Sequence, residues 1–173
     1  MSDYVVPGER IDLLAEARDA YRAMARFDRA IELDPELREL IKIRASQLNG
    51  CAFCLDLHLS DSRAMGIGQQ RLDTIVGWLD SPFFTARERA ALALTDSMSR
   101  LTDGPVSDEV YAEAERHFGR PELAQLIFAI VAINAWNRIA VTSQKRLRLA
   151  EAQTNGPPKL RRERFEGPSG ECG

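Results

Sequence analysis

The chain has 173 residues, 45% of them hydrophobic and 28% charged, with a formal net charge of −3. A chain of this length makes one domain that buries roughly 70% of its unfolded surface, so a core forms without disulfide staples. The acidic balance argues against a generic nucleic-acid or anionic-membrane surface.

The opening MSDYVVPGERID has no apolar stretch of signal-peptide length. The longest apolar run, 126–133, is far below the ~20 residues that span a bilayer. The expectation is therefore a cytoplasmic protein that binds neither nucleic acid nor membrane. In that compartment paired cysteines point to catalysis or metal rather than to structural disulfides.

Apolar residues recur every three or four positions almost throughout, which predicts an all-α fold. Residues 11–33 read as one or two amphipathic helices. Their inner face would carry Leu13, Leu14, Ala17, Tyr21, Met24, Phe27 and Ile31. Asp34-Pro35 opens the next helix, 36–48, because proline suits a first turn. Asn49-Gly50 is a C-terminal stop. A helix then starts near Cys51 and runs to about Met65, where Gly66 and Gly68 break it, and residues 69–79 form another.

Thr85 with Glu88 fits a capping box for a helix that ends near Leu101. Asp103-Gly104-Pro105 is a turn, Ser107 caps a helix to Phe118, and Gly119 ends it. A long helix from Glu122 to about Leu149 is apolar on nearly every side over 123–133, as in a core helix or a subunit interface. From Gln153 the composition turns to Pro, Gly and charge. The domain is accordingly placed at 1–152, with a flexible tail, 153–173, that carries the isolated Cys172.

Two of the three cysteines and one of the two histidines lie within eight residues, in NGCAFCLDLH. Covalent haem attachment requires a histidine directly after the second cysteine, and Leu55 stands there. Structural zinc requires four ligands, and Cys51, Cys54 and His58 supply three. Plain packing of two buried cysteines leaves the histidine unexplained. A redox dithiol accounts for all three, since positions three and four apart share one helix face. Gly50 allows a sharp chain entry and sets the pair at a helix N-terminus, where a thiolate is stabilised. That geometry alone nominates Cys51, the cysteine nearer the helix start, as the attacking sulfur.

Glu39, twelve residues before Cys51, together with Cys51-x-x-Cys54-x-x-x-His58, resembles the signature of the alkylhydroperoxidase AhpD-like group of the carboxymuconolactone decarboxylase superfamily. The segments LRELIKIRASQLNGCAFCLDLH, FTARERAALALTDS and AIVAINAWNRIAV resemble that group in order, over about 35–141. The resemblance implies an AhpD-like helical bundle assembled as a homo-oligomer, a trimer or hexamer. It also implies a peroxidase cycle with no cofactor and no metal.

In that cycle Cys54 attacks a hydroperoxide, Cys51 resolves the sulfenic acid as a disulfide, and Glu39 and His58 relay protons. An external dithiol, a lipoyl group or a thioredoxin-like protein, then restores the thiols. Ala52 and Phe53 stand where the founding alkylhydroperoxidase has a histidine. The alternatives are a non-enzymatic redox-sensing or interaction protein, and a cofactor-free lyase of the decarboxylase branch. Asn134 and Asn137, buried amides in an apolar helix, are read as caps or bridges between helices, with a role near the active-site pocket as the alternative. Trp136 and Arg138 are read as packing or interface residues, and His117 as a helix-end residue.

Overall fold

The computed structural model describes residues 7–147, and within them every regular element is helical. The tail from Gln153, with Cys172, lies outside the described residues. Asp12 caps a single turn, α1 (Leu13–Glu16), and α2 follows at Arg18–Arg29. The chain breaks between them at Ala17 (φ −135°, ψ 52°). Neither helix buries a residue fully, and Leu14 is exposed, so the predicted inner face is only partly covered.

The centre of the fold is α3 (Pro35–Leu48). The Asp34 carboxylate accepts from the Leu37 N–H at 2.9 Å, and Pro35 occupies the first turn, where its missing N–H costs nothing. Nine of its residues are buried, Glu39, Lys42 and Arg44 among them. It packs on α4 (Ala52–Ala64), α6 (Ala86–Ser99) and α8 (Arg120–Ser143). The Thr85–Glu88 capping box forms at the start of α6, and Ser107 caps α7 (Asp108–His117).

Two predicted boundaries move. The helix expected at 69–79 is α5 (Gln69–Thr74), followed by a 3₁₀ turn, Ile75–Gly77. There Thr74 Oγ1 bonds back to the Gln70 carbonyl at 2.9 Å, and two β-branched residues and a glycine follow, which weakens continuation. The long helix ends at Ser143 rather than near Leu149, because Gln144 takes a left-handed conformation (φ 50°, ψ 50°). By length and composition α8 would cross a membrane. In this fold it is the core helix: Leu126, Ile130 and Ile133 are fully buried, whereas Phe128 and Val131 stay 50% and 44% exposed.

Charge also enters the core. Arg44, on α3, makes a bidentate pair with Asp96 of α6 at 2.5 and 2.6 Å and donates to the Val76 carbonyl at 3.1 Å. Removing one partner of such a pair strands a buried charge. Asp96→Ala is expected to cost about 3 kcal/mol, which lowers the melting temperature by roughly 6–12 °C for a domain of this size. Arg44→Met/Asp96→Leu should recover most of that loss in the same thermal melts.

Candidate functional site

The site is built on the α3–α4 hairpin. Gly50 reverses the chain after α3 in a left-handed conformation (φ 63°) that a side chain would strain. Cys51 is then extended (φ −88°, ψ 91°) and becomes the N-cap of α4 rather than its first helical residue. Its sulfur takes the place of a capping oxygen and accepts from the Cys54 N–H at 3.4 Å. The Cys51 and Cys54 Sγ atoms lie 2.7 Å apart, and neither cysteine is in a disulfide. Both are buried, at 1% and 4% exposure.

An amide cluster fixes this turn. Asn49 donates through Nδ2 to the side-chain oxygens of Asn134 and Asn137 on α8, each at 3.0 Å. Asn137 Nδ2 in turn donates to Ser46 Oγ at 3.1 Å. The two α8 asparagines thus bridge α8 to the end of α3, as their burial in an apolar helix suggested. Asn137 does more, because its amide also favours the thiolate form of both cysteines.

The Cys51 thiol is lowered from 9.0 to about 7, chiefly by the hydrogen bond from the Cys54 side chain, against an opposing effect of burial. The Cys54 N–H, Asn137 and the Phe53 backbone add to the lowering. Cys54 moves the other way, far above the usual thiol range. Its bond to Cys51, its burial and the charge on Cys51 raise it, while Asn137 and Lys145 oppose them. Above about pH 7 the pair is therefore expected to share one proton and carry one negative charge. In a Cys172→Ser background, ultraviolet thiolate absorbance should show one thiolate per chain appearing around pH 7, and no second until strongly alkaline pH. Reaction with peroxide should rise about tenfold per pH unit below that midpoint and level off above it, as the nucleophile is the thiolate.

His58 lies one turn beyond Cys54 on α4, and its Nδ1 meets Glu39 Oε2 at 2.9 Å across the α3–α4 contact. A carboxylate only accepts, so Nδ1 carries the hydrogen and Nε2 is left as the proton acceptor of the ring. Lys42, three residues after Glu39, places Nζ 3.7 Å from Glu39 Oε1 and 3.8 Å from Asp28 Oδ2. Glu39, His58 and Asp61 bring one ligand atom each within 4.8 Å of one another, a set that suits a divalent cation chemically. His58 Nδ1 is already engaged by Glu39.

A cavity of about 240 Å³ opens against this cluster. Cys54 and His58 form part of its wall, with Lys42, whereas Cys51 does not line it. Phe53, Leu57, Trp136 and Ile139 make the wall apolar. The four predicted site residues are thus brought together, with the two sulfurs in contact, Glu39 braced on His58, and one sulfur facing open space. The sequence did not single out Lys42 or Lys145, and it marked Trp136 as a packing or interface residue rather than as part of a cavity wall. The three-residue step from Glu39 to Lys42 was a usable signal. Nothing local marked Lys145.

The model of the family described as "Carboxymuconolactone decarboxylase family" matches residues 13–97. The uncharacterized protein YdfG of Bacillus subtilis (strain 168) is 37% identical over 123 residues, covering 71% of this chain and 84% of its own length. This chain belongs to the carboxymuconolactone decarboxylase family. Its AhpD-like character is seen in a solved structure from Agrobacterium tumefaciens, a protein of unknown function described as a candidate AhpD antioxidant-defence protein. That structure is 32% identical, aligns with a TM-score of 0.80, and covers 83% of this chain and all of its own (100%). The debrominase Bmp8 shares the fold of this family member at 18% identity, with a TM-score of 0.70 over 78% of this chain and 74% of its own.

Proposed function

We propose that this carboxymuconolactone decarboxylase-family protein is a thiol-dependent peroxidase that reduces hydroperoxides through Cys51 and Cys54. The observation that carries the reading is a pair of contacting sulfurs, one of which faces an apolar cavity beside a carboxylate-braced imidazole.

The site supports the following steps. Moving the shared proton from Cys54 to Cys51 puts the negative charge on the sulfur the cavity reaches. Cys54 attacks the outer oxygen of ROOH, the O–O bond breaks, and the thiolate becomes a sulfenic acid. The departing alkoxide takes a proton relayed through His58 and leaves as ROH. Cys51, which now holds the shared proton, gives it up to the departing hydroxide as its sulfur attacks the Cys54 sulfur. A disulfide forms, and the hydroxide leaves as water. An external dithiol, on a lipoyl group or a thioredoxin-like protein, exchanges with the disulfide and is itself oxidised. The sum is ROOH plus a dithiol giving ROH, water and a disulfide, with no metal or cofactor used. Glu39 orients the ring and offsets the positive charge it gains when it holds a proton.

The same reading places the protein in the cytoplasm, where such reductants operate. It also makes the protein a homo-oligomer, a trimer or hexamer, and the exposed Phe128 and Val131 on α8 support that assembly. The test is catalytic turnover. Reduced protein is mixed with cumene hydroperoxide and dihydrolipoamide, and peroxide loss is followed over many equivalents. Sustained loss supports the peroxidase. Oxidation that stops after one equivalent in the presence of every dithiol supplied overturns it in favour of a redox switch.

A further inference from the structure

The cavity carries one charge that takes no part in the proton transfers of the proposed peroxide chemistry. Lys42 is its cation on the α3 side and meets Asp28 at 3.8 Å, while Arg38, outside the cavity wall, meets the same carboxylate at 2.8 Å. Lys42 also meets Glu39. Two positive and two negative groups thus cancel. Lys145 has no carboxylate partner among the described residues.

Its ammonium is nonetheless held in place. Nζ donates to the Tyr21 hydroxyl at 2.9 Å, and it lies 5.2 Å from the Tyr21 ring centre and 5.1 Å from that of Phe53. These ring faces stabilise a cation without neutralising it. A lysine ammonium has three donor hydrogens, and Tyr21 accounts for one.

The backbone is also committed to this placement. Gln144 is the one non-glycine residue with positive φ among the described residues. Its left-handed turn ends α8 and lets the Lys145 N–H close back on the Ala140 carbonyl at 3.0 Å. That closure turns the lysine over the cavity instead of letting the helix carry it away.

We propose that Lys145 is a specificity-determining residue that selects organic substrates bearing a carboxylate. An apolar body would lie against Phe53, Leu57, Trp136 and Ile139, and the carboxylate would meet the Lys145 ammonium. The volume, about 240 Å³, is below the ~300–1,000 Å³ of drug-sized pockets and suits a body of roughly ten heavy atoms. With the peroxidase reading, on which this choice of substrate rests, the ligand class is a small amphipathic hydroperoxide acid.

The test has two arms. In the first, calorimetry compares binding of 4-isopropylbenzoate and 4-isopropylbenzyl alcohol to the full chain. Wild type should prefer the acid by about tenfold or more, the usual effect of a charge-assisted hydrogen bond. Lys145→Met should bring that ratio to near one, and Lys145→Arg should largely retain it. In the second arm, oxidation rates are compared for cumene hydroperoxide and its 4-carboxy analogue. Lys145→Met changes the thiolate for both peroxides equally, so only the ratio of rates reports on the carboxylate. Circular dichroism and thermal melts of the two variants exclude unfolding as the cause.

A wild-type protein with no preference for the acid, or a preference that survives Lys145→Met, overturns the inference. If neither hydroperoxide oxidises the thiols, the peroxidase reading falls, and the calorimetry still decides the role of Lys145.

Discussion

Cys54→Ser, in a Cys172→Ser background, is expected to lower hydroperoxide turnover by at least about a thousandfold, since the remaining thiol, Cys51, does not line the cavity and has no second sulfur to resolve it. Cys51→Ser should behave differently. It keeps the sulfur that faces the cavity, so one equivalent of peroxide should still be consumed, leaving a sulfenic acid that dimedone traps and mass spectrometry counts. Turnover should then stop, because the resolving sulfur is gone.

The contrast between the two variants decides which sulfur attacks, and the two physical arguments oppose each other. The start of α4 favours charge on Cys51, whose sulfur accepts the Cys54 N–H and whose thiol is lowered to about 7. Access favours Cys54, because it lines the cavity and Cys51 does not. The 2.7 Å contact removes the conflict, as a proton crossing it moves the charge from one sulfur to the other. A dimedone adduct on Cys51 in the Cys54→Ser variant would reverse the roles.

Glu39→Gln is expected to lower the rate constant for oxidation of the reduced protein by roughly 10²- to 10⁴-fold, the usual contribution of a positioned acid–base group. The amide keeps the volume of the side chain. It loses the charge that supports the imidazolium, and it can present a donor where Nδ1 requires an acceptor. Lys42 keeps Asp28 as a partner, so the fold should persist, with an intact far-ultraviolet spectrum. Stopped-flow measurement across pH checks both the rate and its shape. A rate within threefold of wild type would remove Glu39 from the chemistry.

What could be read in advance was local. Asp34-Pro35, Thr85 with Glu88, and Ser107 start their helices because a capping side chain acts on amides two or three residues away. Cys51, Cys54 and His58 converge because helical spacing brings them together, although Cys51 does so from the cap position. Glu39 was different. On an ordinary helix it would pass for a solvated charge, and only the family resemblance marked it out.

The rest depends on contacts between distant parts of the chain. The end of α8 at Ser143 rests on the left-handed turn of Gln144, a residue type with no special claim to that conformation. Tyr21 and Lys145 meet across 124 positions, so no window of sequence contains both. The exposed faces of α1 and α2 were overestimated as core for the same reason, since periodicity shows that a face is apolar and not how much of it is covered.

The cavity wall draws on stretches far apart in the chain. Both sulfurs and the imidazole belong to one short hairpin, while much of the remaining surface comes from α2, α8 and the turn after it. Exchanges at Tyr21, Trp136 or Ile139 can therefore alter which molecule is admitted without touching the spacing of the reactive atoms. A panel of such exchanges offers a route to redirecting the protein toward new guests.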